Sequence, residues 1–145
     1  MHSTQPIPRS VHEKFLGVVQ LARTIDKARM LANGTLGEYH YECPMDQALF
    51  AQFGIDGKKL AAIVKNGSSS DLEGYLKPLI ESKGQSAIDG FNQETLTHKP
   101  TGESLKHFEE LRAKIAPSRT DVLSWPDLLD LDEGRMVPHH KAAAV

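Results

Sequence analysis

Between Val18 and Ala32 the apolar residues recur at the helical period. Leu21, Ile25, Ala28 and Ala32 fall on one line, with Val18 and Ala22 beside them, the pattern of a helix that buries one face. Asn33-Gly34 closes it, because glycine adopts the left-handed C-cap conformation cheaply. A half-buried strand instead alternates at every second position. Only Leu36 to Tyr41 alternates at all, and it is short.

The remaining segments repeat the grammar of short helices. Ser10 and Glu13 have capping-box spacing, so a helix is expected from Ser10, with a kink near Gly17. Pro44 suits the first turn of a helix running to Phe53, where its missing N–H is harmless, and Gly54 stops it. Asp56 is placed to cap 57–66. Ser70 and Glu73 repeat the capping box for a helix toward Glu81, weakened by Gly74 and Pro78. Ser86 caps a helix holding Ile88, Phe91 and Leu96. The 103–116 segment sets Leu105, Phe108, Leu111 and Ile115 on one side, and Ser124 precedes a last turn through Leu131. The fold class predicted is all-α: a compact bundle of about six or seven short helices around one central amphipathic helix, Val18–Ala32. Residues 1–9 read as an extended N-terminal arm, 10–135 as one helical domain, and 136–145 as a flexible C-terminal tail.

Composition narrows the functional classes. The chain has 145 residues, a formal net charge of -2 and a pI near 6.4. It carries no basic stripe, so nucleic acid is not expected as a partner. Cys43 is the only cysteine, which excludes an internal disulfide and leaves a structural zinc site without its thiolates. No metal and no cofactor is expected. The N-terminus lacks the apolar h-region of a secretory signal, and no apolar run approaches a membrane span; the expected location is the cytoplasm.

One segment, Leu21 to Gln47, gathers Arg23, Asp26, Lys27, Arg29, Glu38, Tyr39, His40, Tyr41, Cys43 and Asp46 around a helix and the loop after it. On a helical wheel Arg29 falls inside the apolar arc, whereas Arg23, Lys27 and Met30 fall outside it. A buried guanidinium must be paired, and Asp26, three residues earlier, is its neighbour on the helix surface. Two readings follow. As a structural pin, Arg29 holds the Gly34–Gly37 loop, with Glu38, Glu42 or Asp46 as a second acceptor. As an anion clamp, Arg29 joins Arg23 or Lys27 around a carboxylate or phosphate. The ligand-binding candidates are Arg23, Asp26, Arg29, Glu38, Tyr39 and His40, between helix 18–33 and loop 35–44.

His40 and Cys43 also invite a base–nucleophile reading. In an extended piece, however, Tyr39 and Tyr41 face the core and His40 the rim, and a free cysteine is commonly a small buried hydrophobe. The acidic run Asp127, Asp130, Asp132 and Glu133 lacks calcium-loop spacing, and Trp125 reads as a buried anchor. With no catalytic constellation, the first functional expectation is a non-catalytic interaction or regulatory module, with an unknown protein partner or as a homodimer. Leu31, opposite the main arc, is a candidate contact residue. The alternative is a small-molecule or anion-binding protein.

Three stretches, LARTIDKARMLANGTLGEYHYECPMDQ, FGID at Phe53–Asp56 and WPDLLDLDEGR at Trp125–Arg135, together resemble a bacterial family, domain-of-unknown-function family 5069. The resemblance runs from about Pro8 to Arg135. It implies a helical bacterial protein and supplies no activity, cofactor or catalytic residue.

Overall fold

The computed structural model describes residues 6–139; residues 1–5 and 140–145, which include part of the expected arm and tail, lie outside it. Among the described residues there are seven α-helices and no strand: α1 Leu21–Asn33, α2 Pro44–Phe53, α3 Gly57–Asn66, α4 Ser69–Glu81, α5 Gln85–Leu96, α6 Gly102–Ile115 and α7 Trp125–Asp132. The all-α expectation holds. The chain divides into two units, residues 1–93 and 94–145.

In the first unit α1 packs against α2 and α3, and α3 against α4. Its core joins Val18, Leu21, Ile25, Leu49, Phe53, Leu60, Leu76 and Ile80. Phe53 meets Phe91 edge-on at 5.3 Å between ring centroids, the geometry favoured by the ring quadrupoles. The second unit packs α6 on α7 around Phe108, Val122, Leu128 and Val137. Trp125 is half-buried, not fully buried as expected; it abuts Phe108 edge-on at 5.0 Å. Leu105, assigned to the apolar side of α6, is 40% exposed.

Helix ends follow local chemistry. α1 stops at Gly34 (φ 70°), with Gly34 N–H donating to the Leu31 carbonyl and Thr35 N–H to the Met30 carbonyl at 2.8 Å, a Schellman closure. Asp56 caps α3 by accepting from Lys58 and Lys59 N–H. The α4 cap differs from expectation: Ser68 and Asp71, not Ser70 and Glu73, form the reciprocal box. Both pairs have the same spacing, so local pattern alone cannot choose between them. Pro78 sits within α4. It takes the bonding partner of the Gly74 carbonyl, and Gly74 is exposed to water.

The largest departure precedes α1. No helix starts at Ser10. The Ser10 hydroxyl accepts from His12 N–H at 3.0 Å and the Ser10 carbonyl from Glu13 N–H at 3.1 Å, which makes a turn. Phe15 and Val18 then exchange two backbone bonds of 3.0 Å across Leu16-Gly17. Leu16 (φ 53°) and Gly17 (φ 81°) both have positive φ, as a tight two-residue hairpin turn requires. Gly17 is thus a reversal, not a kink. Val19 N–H donates to the buried Asn92 side chain at 3.0 Å, and the Asn92 amide donates to the Gly17 carbonyl at 2.9 Å. The helix therefore begins at Leu21 rather than Val18.

Candidate functional site

The helical wheel of α1 sorts its basic residues wrongly. Arg29 is exposed, while Arg23 and Lys27 are buried at 4% and 3%, and Met30 at 6%. The physical reason is that α1 is covered on more than one side. Packed neighbours bury its apolar arc, the loop 35–43 closes over Lys27, and residues 8–11 lie along Asp26 and Arg23. A wheel assumes one wet face, and in this helix exposure is confined to Arg29, Leu31 and Asn33 near its C-terminal end.

Lys27 and Asp46 form the centre of the site. Lys27 Nζ lies 2.7 Å from Asp46 Oδ2, with the two side chains 4% and 0% exposed. The same Nζ donates to the His40 carbonyl at 3.0 Å and to Cys43 Sγ at 3.3 Å, using its three donor directions. Asp46 is wrapped as completely. Its Oδ1 accepts from the Thr24 hydroxyl at 2.6 Å and from Gln20 Nε2 at 2.9 Å. Its Oδ2 accepts from the backbone N–H groups of Glu42 at 3.0 Å and Cys43 at 3.3 Å. Burial pushes the Asp46 carboxyl up, but Lys27, Thr24 and Gln20 outweigh it and hold the group below the usual aspartate value. Burial and the Asp46 charge raise the Tyr41 hydroxyl well above its ordinary range. That hydroxyl donates to the Gly57 carbonyl at 2.5 Å.

The backbone is bent to make this arrangement. Gln20 (φ 71°) and Glu42 (φ 67°) are two of three non-glycine residues with positive φ among the described residues. Each donates to Asp46, one through its amide side chain and one through its N–H. Left-handed backbone at a non-glycine residue costs of order 1–3 kcal/mol and persists where surrounding contacts over-determine it. Gln20 is 1% exposed, and its Oε1 is buried without a hydrogen-bond partner.

The six candidate residues do not converge on one cleft. Arg23 donates to the Arg9 carbonyl at 3.1 Å and its guanidinium carbon sits 5.6 Å from the Tyr39 ring centroid, a cation–π distance. Asp26 and Arg29 do pair, at 3.5 Å. The main partner of Asp26, however, is Arg9, through its N–H at 2.8 Å, its Nε at 2.9 Å and its Nη2 at 3.1 Å. The hydrogen bond to Asp26, opposed by burial, raises the Arg9 pKa above its ordinary value. Glu38 and His40 are exposed, and His40 enters the site through its carbonyl alone. Arg29 does not hold the loop; Lys27 does. The alternation expected of Tyr39, His40 and Tyr41 is kept in their burial, the two tyrosines half-buried and His40 exposed. Tyr41 packs on the core, and Tyr39 lies half-buried over Arg23.

Sequence reasoning left out Arg9, Gln20 and Thr24, and gave Asp46 the wrong partner. One signal for Asp46 was present. It stands three residues after Cys43, at the third position of a helix whose first residue is proline, where a carboxylate bonds the N-cap backbone. Arg9, Gln20 and Thr24 join only through chain reversal.

Among the described residues no group of histidine, cysteine and acidic side chains is arranged to hold a metal ion, and no helix is long and apolar enough to cross a membrane. A comparison with curated proteins finds no match. A family described as "Domain of unknown function (DUF5069)" matches residues 5–135. That match covers most of the chain, reaches into both units and takes in the whole Lys27–Asp46 network, so the chain belongs to the DUF5069 family.

Proposed function

We propose that this chain is a non-catalytic interaction or regulatory module of the bacterial cytoplasm, working on a protein partner or on a second copy of itself. The supporting observation is how the polar segment is used. Lys27 directs its ammonium at Asp46, His40 and Cys43, and Asp46 accepts from five donors within the fold. A ligand pocket needs a few polar groups left converging on a cavity; here the polar groups hold a loop onto a helix. That stabilises a surface, and surface is what an interaction module uses. Leu31, 46% exposed on α1, is the first residue to test within it, though one exposed leucine is ordinary by itself.

Light scattering at micromolar concentration, with affinity capture of the full chain from its native cell, tests the reading. A stable dimer or a specific partner lost on Leu31→Glu supports it. A strict monomer that captures nothing and carries a tightly held small molecule on native mass spectrometry would overturn it.

A further inference from the structure

Two arginines share one carboxylate at the outer side of α1. Arg9 Nη2 lies 3.1 Å and Arg29 Nη1 3.5 Å from the same Asp26 Oδ1. The two nitrogens are therefore no further apart than those distances laid end to end. The cations are outermost: the Arg9 and Arg29 side chains are 40% and 53% exposed, against 19% for Asp26. One carboxylate cannot neutralise two guanidiniums, so the trio presents an excess positive charge to solvent. Glu13 adds a weaker pull on Arg9 through space and opposes that excess. The frame is fixed. Arg9 is anchored by its N–H to Asp26 and by its carbonyl to the buried Arg23, and Arg29 stands within a helix.

We propose that Arg9 and Arg29 form a binding site for a dianionic tetrahedral oxyanion, a phosphate monoester or inorganic phosphate. Charge-assisted N–H···O contacts are about 2.7–2.9 Å long, and guanidinium matches phosphate geometry well. Arg9 Nη2 gives its two hydrogens to Asp26 Oδ1 and the Ala22 carbonyl, so one phosphate oxygen takes Arg9 Nη1 and a second takes Arg29, with Asp26 holding both guanidiniums in place. The site differs from the clamp expected from the wheel. Lys27 is committed to Asp46, Arg23 lies beneath, and the second cation is Arg9. It goes beyond the interaction reading and stands whether or not that reading holds.

The test is a titration of the ¹⁵N-labelled full chain with inorganic phosphate, at ionic strength matched with sodium chloride. Saturable shifts are expected at the amides of Arg9, Asp26 and Arg29. Arg29→Gln, whose fold is checked by circular dichroism, is expected to weaken binding at least tenfold, and Glu13→Gln to strengthen it. A phosphoserine peptide and its unphosphorylated form then separate the sources. Tighter binding of the phosphopeptide than of phosphate supports the site as a reader of modified protein. Equal binding supports it as a site for a small phosphate. The proposal fails if phosphate produces no saturable shift up to tens of millimolar, if the shifts fall elsewhere, or if Arg29→Gln binds like its parent.

Discussion

Lys27 and Arg29 stand two residues apart on one helix, both basic, in opposite surroundings. Removing Lys27 leaves Asp46 charged, buried and unpaired, and breaking a buried pair from one side costs roughly 3–5 kcal/mol. Lys27→Met is therefore expected to lower the midpoint of urea unfolding sharply, against a whole stability of about 5–15 kcal/mol. The double change Lys27→Met with Asp46→Leu should return part of the loss, less the cost of leaving the Thr24, Gln20 and two N–H donors without their acceptor. Arg29→Ala, at an exposed ion pair, is expected to change stability by no more than about 0.5 kcal/mol. The opposite ranking in paired unfolding curves would refute this assignment. Asp46 also sets a pH dependence. Its folded pKa is depressed, so the stability it contributes is present above the unfolded value of about 3.9. That stability is lost as pH falls through the folded value. Unfolding curves of Asp46→Asn should show a shallower decline below about pH 4 than those of the parent.

At the scale of elements, Gly57 at the start of α3 sits hard against the Phe50 ring of α2. A Cβ on Gly57 would stand 2.7 Å from Phe50 Cε2 and 3.0 Å from Glu42 Oε1. Gly57 also supplies the carbonyl that Tyr41 bonds. Gly57→Ala should cost about 1–3 kcal/mol through forced displacement of the Phe50 ring. Gly74 is the control. It lies inside α4, where an added Cβ meets nothing within 4 Å. Gly74→Ala should raise stability by about 0.5–1 kcal/mol. Thermal unfolding of the two variants moving in the same direction would contradict this reading of the interface.

At the scale of the molecule, two units carry separate cores of unequal size. The core of residues 94–145 rests on few buried side chains, so each counts for more. Phe108 is 1% exposed, and truncating such a ring typically costs 3–5 kcal/mol. Phe108→Ala should therefore lower the transition seen in tryptophan fluorescence, because Trp125 is the only tryptophan and lies edge-on to that ring at 5.0 Å. An unchanged fluorescence midpoint would mean that this core contributes little to the stability of its unit.

Helix identity and most helix limits were written locally. Pro44 opening α2, Asp56 capping α3, and Gly34 and Gly54 closing α1 and α2 depend on bonds spanning a few residues, which a pattern of neighbours can reveal. The class of fold follows from those repeated starts and stops. The candidate site was not legible in the same way. The wheel placed Arg29 inside and Lys27 outside, because it treats α1 as a helix with one wet face. Residues 8–11 and 35–43 cover part of that face instead. The hairpin at Leu16-Gly17 turns the chain so that Arg9 reaches Asp26, 17 positions away. The Lys27–Asp46 pair joins two helices across a loop whose Glu42 adopts a backbone conformation its residue type does not favour. Which charge is buried depends on what covers it, and only the folded chain decides the cover.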